Sequence, residues 1–84
     1  MRRAAHAVPA SLAIEIIGWL GAILVLLAYA CASFGWITTA HPLFPIMNGL
    51  GALALIIHAR TVRDLPIIAL NTIWLLIALL ALRP

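Results

Sequence analysis

Two apolar runs dominate the sequence, and the first is long enough for two membrane crossings. Residues 16–59 contain no Asp, Glu, Lys or Arg, and residues 65–82 are equally free of them. One helical crossing of a bilayer needs about 20 apolar residues. The pattern therefore predicts a single domain, 1–84, with three transmembrane helices over about residues 12–34, 43–59 and 65–82.

Cap and turn residues separate the predicted helices. Ser11 is a candidate N-cap for the first helix, and Gly35 ends that helix. Asp64 can cap the third helix, with Pro66 in its first turn, where a missing N–H costs little. The polar stretch 58–64 then forms the connection between the second and third helices.

The composition is that of an all-α membrane protein without a soluble domain. The 84 residues are 67% hydrophobic and 8% charged, whereas soluble domains have about 25% charged residues. A chain of this length cannot bury so much apolar surface in a water-soluble core. We therefore expect the lipid bilayer to cover it.

The few charges indicate topology. The net charge of +3 comes from five arginines against two acidic residues. Four arginines are predicted on the N-terminal side of the membrane and one on the other side: Arg2, Arg3, Arg60 and Arg63 against Arg83. The positive-inside rule then predicts a cytoplasmic N-terminus in a bacterial inner membrane. No basic cluster covers one face, so nucleic acid is not an expected partner.

Small residues predict close helix packing. Gly18 and Gly21 recur at helical spacing in the first helix, and Gly49 begins a small-residue stretch in the second. Helices in lipid associate through close backbone contact and a few interhelical hydrogen bonds. These faces favour a homodimer, although they also suit docking onto a larger membrane protein.

Asn71 and Trp74 are the best candidate binding residues. They lie three positions apart, on one face of the third helix. An amide beside an indole ring can hold a small polar solute such as a sugar. The alternative is that Asn71 hydrogen-bonds a neighbouring helix and only stabilises the fold.

Three further polar residues are candidates for a lumen or a gate. Glu15 lies inside an apolar run, where it is either an interfacial structural residue or a lumen-facing, proton-linked one. Asn48 either bonds another helix or lines an outer mouth. Tyr29 either lines a polar lumen or is an ordinary residue of a membrane helix.

The sequence has no pattern typical of a cofactor site or an enzyme. His6, His41 and His58 are predicted in the tail and in two connections on opposite faces, so they cannot converge on one metal within a chain. There is no phosphate-binding glycine loop and no Ser/His/Asp set in a shared site. Cys31 is the single cysteine, which excludes an intrachain disulfide.

The segment 16–29, followed by Asp64, Pro66 and Asn71, resembles the SemiSWEET half-transporters of the PQ-loop clan. The resemblance implies a PQ-loop triple-helix bundle that forms a parallel dimer around a sugar pathway, with Asn71 facing the substrate. Cys31-Ala32 stands where that family has its Pro-Gln pair, 50–57 lacks the family's stacking Trp, and the basic connection follows the second helix. The chain is therefore most similar to uncharacterised small bacterial members of the clan.

Together these features predict a homodimeric, half-transporter-like module that passes a small polar solute by facilitated movement. Gly18, Gly21 and Gly49 would permit the helices to rock. The alternative is a structural or accessory subunit that docks onto a larger membrane complex and has no pathway of its own.

Overall fold

The computed structural model describes residues 10–84, with side chains from Ser11 onward. It contains three helices: α1 (Ala10–Ser33), α2 (Leu43–Val62) and α3 (Leu65–Leu82). Each helix is long and apolar enough to cross a membrane; α3, the shortest at 18 residues, rises about 27 Å. The prediction of an all-α protein with three helices, each long and apolar enough to cross a membrane, is confirmed.

A left-handed glycine ends α1, as the sequence predicted. Gly35 has a φ of 76°, a conformation that L side chains adopt rarely and glycine adopts freely. The backbone N–H of Trp36 then donates to the carbonyl of Cys31 at 2.8 Å. The ring centroids of Phe34 and Trp36, just after the end of α1, lie 5.2 Å apart. Aromatic residues are enriched at membrane interfaces.

Asp64 caps α3, also as predicted. Its Oδ1 accepts a hydrogen bond from the backbone N–H of Ile67 at 3.3 Å, and proline occupies the first turn of the helix. The preceding residue, Arg63, has a left-handed φ of 59°. Residues 63 and 64 alone connect α2 to α3.

The start of α1 differs from the prediction. The helix begins at Ala10, so Ser11 lies inside it and is not its N-cap. Because of this earlier start, Glu15 falls in the second turn and not in the first. A single polar residue before an apolar run does not define a helix start, and here the residue before it, Ala10, is also helical.

The end of α2 differs as well. The helix continues to Val62, three residues past the predicted end at 59. His58, which the predicted helix and the predicted connection share, is therefore helical. The hydroxyl of Thr61 donates to the carbonyl of His58 at 2.7 Å. Polar residues near a helix end reach headgroups and water, so the loss of apolar character marks the membrane boundary and not the helix boundary.

The helices are antiparallel neighbours in a row, with α2 in the middle. It packs against both α1 and α3, while within residues 10–84 no Cα of α1 lies within 8 Å of a Cα of α3. At the α1–α2 contact, a Cβ built on Gly21 would lie 2.8 Å from the carbonyl oxygen of Gly51, and the reverse distance is also 2.8 Å. Glycine at both positions therefore permits this close approach.

The buried apolar residues are all small. Among the described side chains they are Pro45 and four alanines, Ala28, Ala52, Ala59 and Ala78. Large aliphatic and aromatic side chains cover the outer faces of all three helices, as expected where lipid and not water is the solvent.

We expect Gly51→Ala to destabilise the protein and Gly49→Ala to be tolerated. A Cβ at Gly51 would meet Val25 Cγ2 at 2.5 Å and the Gly21 backbone, whereas one at Gly49 would meet Ala78 at 3.4 Å. Overpacking costs about 1–3 kcal/mol, and alanine gains up to about 1 kcal/mol of helix propensity at either position. Unfolding in mixed micelles, followed by far-UV circular dichroism, measures both variants. Equal stability of the two would contradict the close α1–α2 contact.

Candidate functional site

A carboxylate and an imidazole meet between α1 and α2. His58 Nε2 lies 3.1 Å from Glu15 Oε1, which forms an ion pair when the imidazole is protonated. The two residues are separated by 43 positions in the chain. Within residues 10–84 no other pair of oppositely charged side chains is this close, so this contact is the clearest chemical feature of the membrane-spanning part.

Gly18 makes room for this pair. It lies one turn after Glu15 on α1 and faces the ring of His58. A Cβ at this position would lie 2.8 Å from both Cγ and Cδ2 of the imidazole. The missing side chain therefore lets the ring approach the α1 backbone closely and reach Glu15.

The pair lies near one membrane face and is partly open. His58 is four residues before the end of α2, and Glu15 is five residues after the start of α1, which places each about 6–8 Å from its helix end. The His58 side chain is 26% exposed and that of Glu15 is 58% exposed. Neither side chain is therefore sealed inside the protein.

An open groove of about 260 Å³ runs beside the pair. Its walls are Glu15, Gly18, Trp19, Ala22, Leu55 and His58. A carboxylate accepts hydrogen bonds, an imidazole can donate or accept, and an indole offers both an apolar face and an N–H donor. This combination can bind a small polar or cationic solute. Among the described residues, no group of three His, Cys, Asp or Glu side chains could hold a metal ion.

Asn71 lies away from this groove. It is 4% exposed, and its Nδ2 donates to the Ile67 carbonyl of its own helix at 3.0 Å. Since α3 contacts α2 alone in the described chain, the buried side chain of Asn71 faces α2. It would reach a solute only if α2 and α3 separated.

Trp74 shares a small cavity with Asn48. The cavity has a volume of about 60 Å³ and is also lined by Phe44 and Pro45 of α2. Trp74 is 37% exposed, while Asn48 is buried and donates to the Phe44 carbonyl at 2.9 Å. The structure thus places an amide beside this indole, but the amide comes from α2.

The remaining candidates divide into packing residues and one outward-facing residue. Gly21 is buried against α2, and Gly49 lies at the α2–α3 contact. Tyr29 is exposed on the outer face of α1. The glycines therefore serve contacts within the protomer, and their predicted part in helix rocking stays a prediction.

Comparison with known proteins gives one match. A model of one uncharacterised protein family matches residues 14–83, which is nearly all of the described chain. The chain belongs to this family. The search of curated proteins and the search of solved structures found no significant match. The family match does not link the chain to the SemiSWEET proteins, so that resemblance stays a prediction.

His58 is the site residue that sequence reasoning missed. The predicted connection 58–64 overlaps the predicted helix 43–59 at His58, and no partner for this histidine follows from the sequence pattern. A signal was present in the sequence: in an antiparallel hairpin, a histidine near the end of α2 comes level with the start of α1. The pairing itself depends on the register that Gly21 and Gly51 set, and hydropathy does not reveal this register.

We expect Glu15→Gln and His58→Gln to be coupled in stability. Interhelical hydrogen bonds in membranes contribute about 0.6 kcal/mol on average, so the double variant should lose less than the sum of the single losses by about this amount. Unfolding in mixed micelles provides the free energies. His41→Gln is the control, because His41 lies in the opposite connection and its Nδ1 accepts from the Leu43 N–H. Additive losses for Glu15 and His58 would contradict the pairing.

Proposed function

We propose that this protein is a half-transporter-like membrane module that passes a small polar solute. The observation that carries the proposal is the groove beside Glu15, His58 and Trp19, where a carboxylate, an imidazole and an indole come together inside otherwise apolar helices. Ionisable side chains in membrane segments are costly and commonly mark solute or ion pathways. In this proposal, the groove is one mouth of the pathway.

The pathway requires a second copy of the chain. A row of three helices with α2 in the middle leaves the groove open on one side. A homodimer that brought two such grooves together would enclose a space between them, and a sugar-like solute could stack on the exposed Trp19. Homodimer formation is part of the proposal and agrees with the resemblance to the SemiSWEET proteins.

Asn71 and Trp74 have a secondary place in this proposal. Asn71 is buried and hydrogen-bonded within α3, so its contact with a solute would require α3 to move. Gly49, at the α2–α3 contact, would permit this movement, and Gly18 and Gly21 would permit rocking of α1 against α2. The exposed carboxylate of Glu15 needs no movement, and we therefore assign it the first contact with the solute.

The proposed location is a bacterial inner membrane, with the N-terminus in the cytoplasm. Arg60 and Arg63 lie at the end of the molecule where α1 begins, and the sequence adds Arg2 and Arg3 before α1. Arg83 alone lies at the other end. By the positive-inside rule, the end with four arginines is cytoplasmic, which makes the Glu15 groove the inner mouth.

Liposomes that contain the purified protein should be permeable to small polar solutes. We expect stopped-flow light scattering with glycerol and monosaccharides to show faster osmotic equilibration than in empty liposomes. Glu15→Gln should reduce the added permeability severalfold, because it removes the charge that faces the groove. His41→Gln is the matched control and should keep it. Permeability equal to that of empty liposomes would contradict the proposal.

The second candidate function is that of an accessory subunit without a pathway. It is favoured by the surface of α3, where Asn71 and Ala78 are the only buried residues and large apolar side chains cover the rest of the helix. Such a helix offers a broad face to another membrane protein. Because the glycine faces are used within the protomer, docking would depend on these large side chains.

Native mass spectrometry of the assembly released from membranes separates the two functions. A self-contained homodimer supports the solute pathway. A stoichiometric complex of one copy with a larger protein supports the accessory subunit and contradicts the pathway between two copies. Mild detergent and native expression levels are needed, because overexpression of this chain alone would favour self-association.

A further inference from the structure

A second groove lies at the charged end of the molecule. It has a volume of about 520 Å³ and is lined by Arg60, Arg63, Leu65 and Ile68. It spans the short connection from α2 to α3, with both arginines exposed. A neighbouring groove of about 310 Å³, lined by Ile57, Arg60 and Thr61, continues on the other side of Arg60. This surface is separate from the Glu15 groove.

The two arginines have no carboxylate partner. The chain has only two acidic side chains, Glu15 and Asp64, and both lie in the described part. Glu15 pairs with His58, while Asp64 accepts the N–H of Ile67 as the cap of α3. No ion pair joins either arginine to a carboxylate within residues 10–84.

The remaining charge favours an anion in the groove. Arg60 and Arg63 contribute two positive charges and Asp64 one negative charge, which leaves one net positive charge in the connection. The carboxylate of Asp64 would repel an anion, but one of its oxygens is engaged by the backbone N–H of Ile67. Guanidinium groups bind phosphate oxygens through paired, charge-assisted hydrogen bonds.

The walls of the groove indicate a lipid. Leu65 and Ile68 lie on α3, Ile57 lies on α2, and all three continue into the apolar surface that faces the bilayer. Arg60 lies in the last turn of α2 and Arg63 directly follows that helix, next to the start of α3. In a membrane-spanning hairpin, both would lie near the headgroups. Basic pockets between transmembrane helices are recognised binding places for anionic headgroups.

We propose that this groove binds the phosphate of an anionic phospholipid, with the acyl chains along α2 and α3. An anionic headgroup is favoured over a zwitterionic one because the latter brings its own cation against two arginines that have no ion-pair partner and a net positive charge. The apolar walls favour a membrane lipid over free phosphate. The proposal does not depend on solute transport, and a protein without any pathway could carry the same site.

Native mass spectrometry with competing lipids tests this site. The purified protein is mixed with equal amounts of dioleoyl phosphatidylglycerol and dioleoyl phosphatidylcholine, and the ratio of the bound lipids is measured. We expect the wild type to prefer phosphatidylglycerol. Each of Arg60→Gln and Arg63→Gln should reduce the preference about fivefold, as expected for one arginine at a charged membrane surface, and the double variant should abolish it.

Arg83→Gln is the matched control, because it removes a cation from the opposite end. It should keep the wild-type preference. An unchanged preference in the double variant, or an equal loss in the control, would overturn the site. Displacement of the lipid by millimolar inorganic phosphate would overturn the assignment to a lipid. The single variants keep the test decisive should the double variant lose the helical circular dichroism signal.

Discussion

In a bilayer, the apolar surfaces of two helices gain little by leaving lipid, so close backbone contact must hold them together. Here that contact depends on Gly21 and Gly51, each of which faces the carbonyl of the other. The crossing sets the register of α1 against α2. With this register, the ring of His58 falls over Gly18 and reaches Glu15. The contact between Glu15 and His58 thus depends on Gly18 and Gly21, which follow Glu15 on α1 by about one and two helical turns.

The two buried asparagine amides make their hydrogen bonds within their own helices. Asn48 and Asn71 both donate to the carbonyl four residues earlier, so neither needs a partner on a neighbouring helix. With their donors satisfied in this way, they can be buried beside apolar and small residues at little cost. The only polar bond between side chains of different helices in the described chain is that between Glu15 and His58.

Much of the fold could be predicted from the sequence, but less of the site could. The apolar runs gave three helices, and Gly35 and Asp64 marked two of the ends, because a left-handed turn and a cap have distinct local chemistry. The end of α2 at Val62 was not predicted, because the polar residues that begin at His58 mark the membrane boundary and not the end of the helix. The hydrogen bonds of the Asn48 and Asn71 side chains could not be predicted, because they depend on side-chain rotamers. The pairing of Glu15 with His58 could not be predicted either, because it depends on the register between helices.

The two connections differ in length, and this difference limits how the molecule can rearrange. Residues 63 and 64 join α2 to α3 so tightly that the two helices must move and insert as one hairpin. Residues 34–42 form a longer tether, which could extend to about 30 Å, roughly three helix diameters. The α1 helix of one copy can therefore reach the α2 helix of an adjacent copy, so the geometry permits exchange of α1 between protomers.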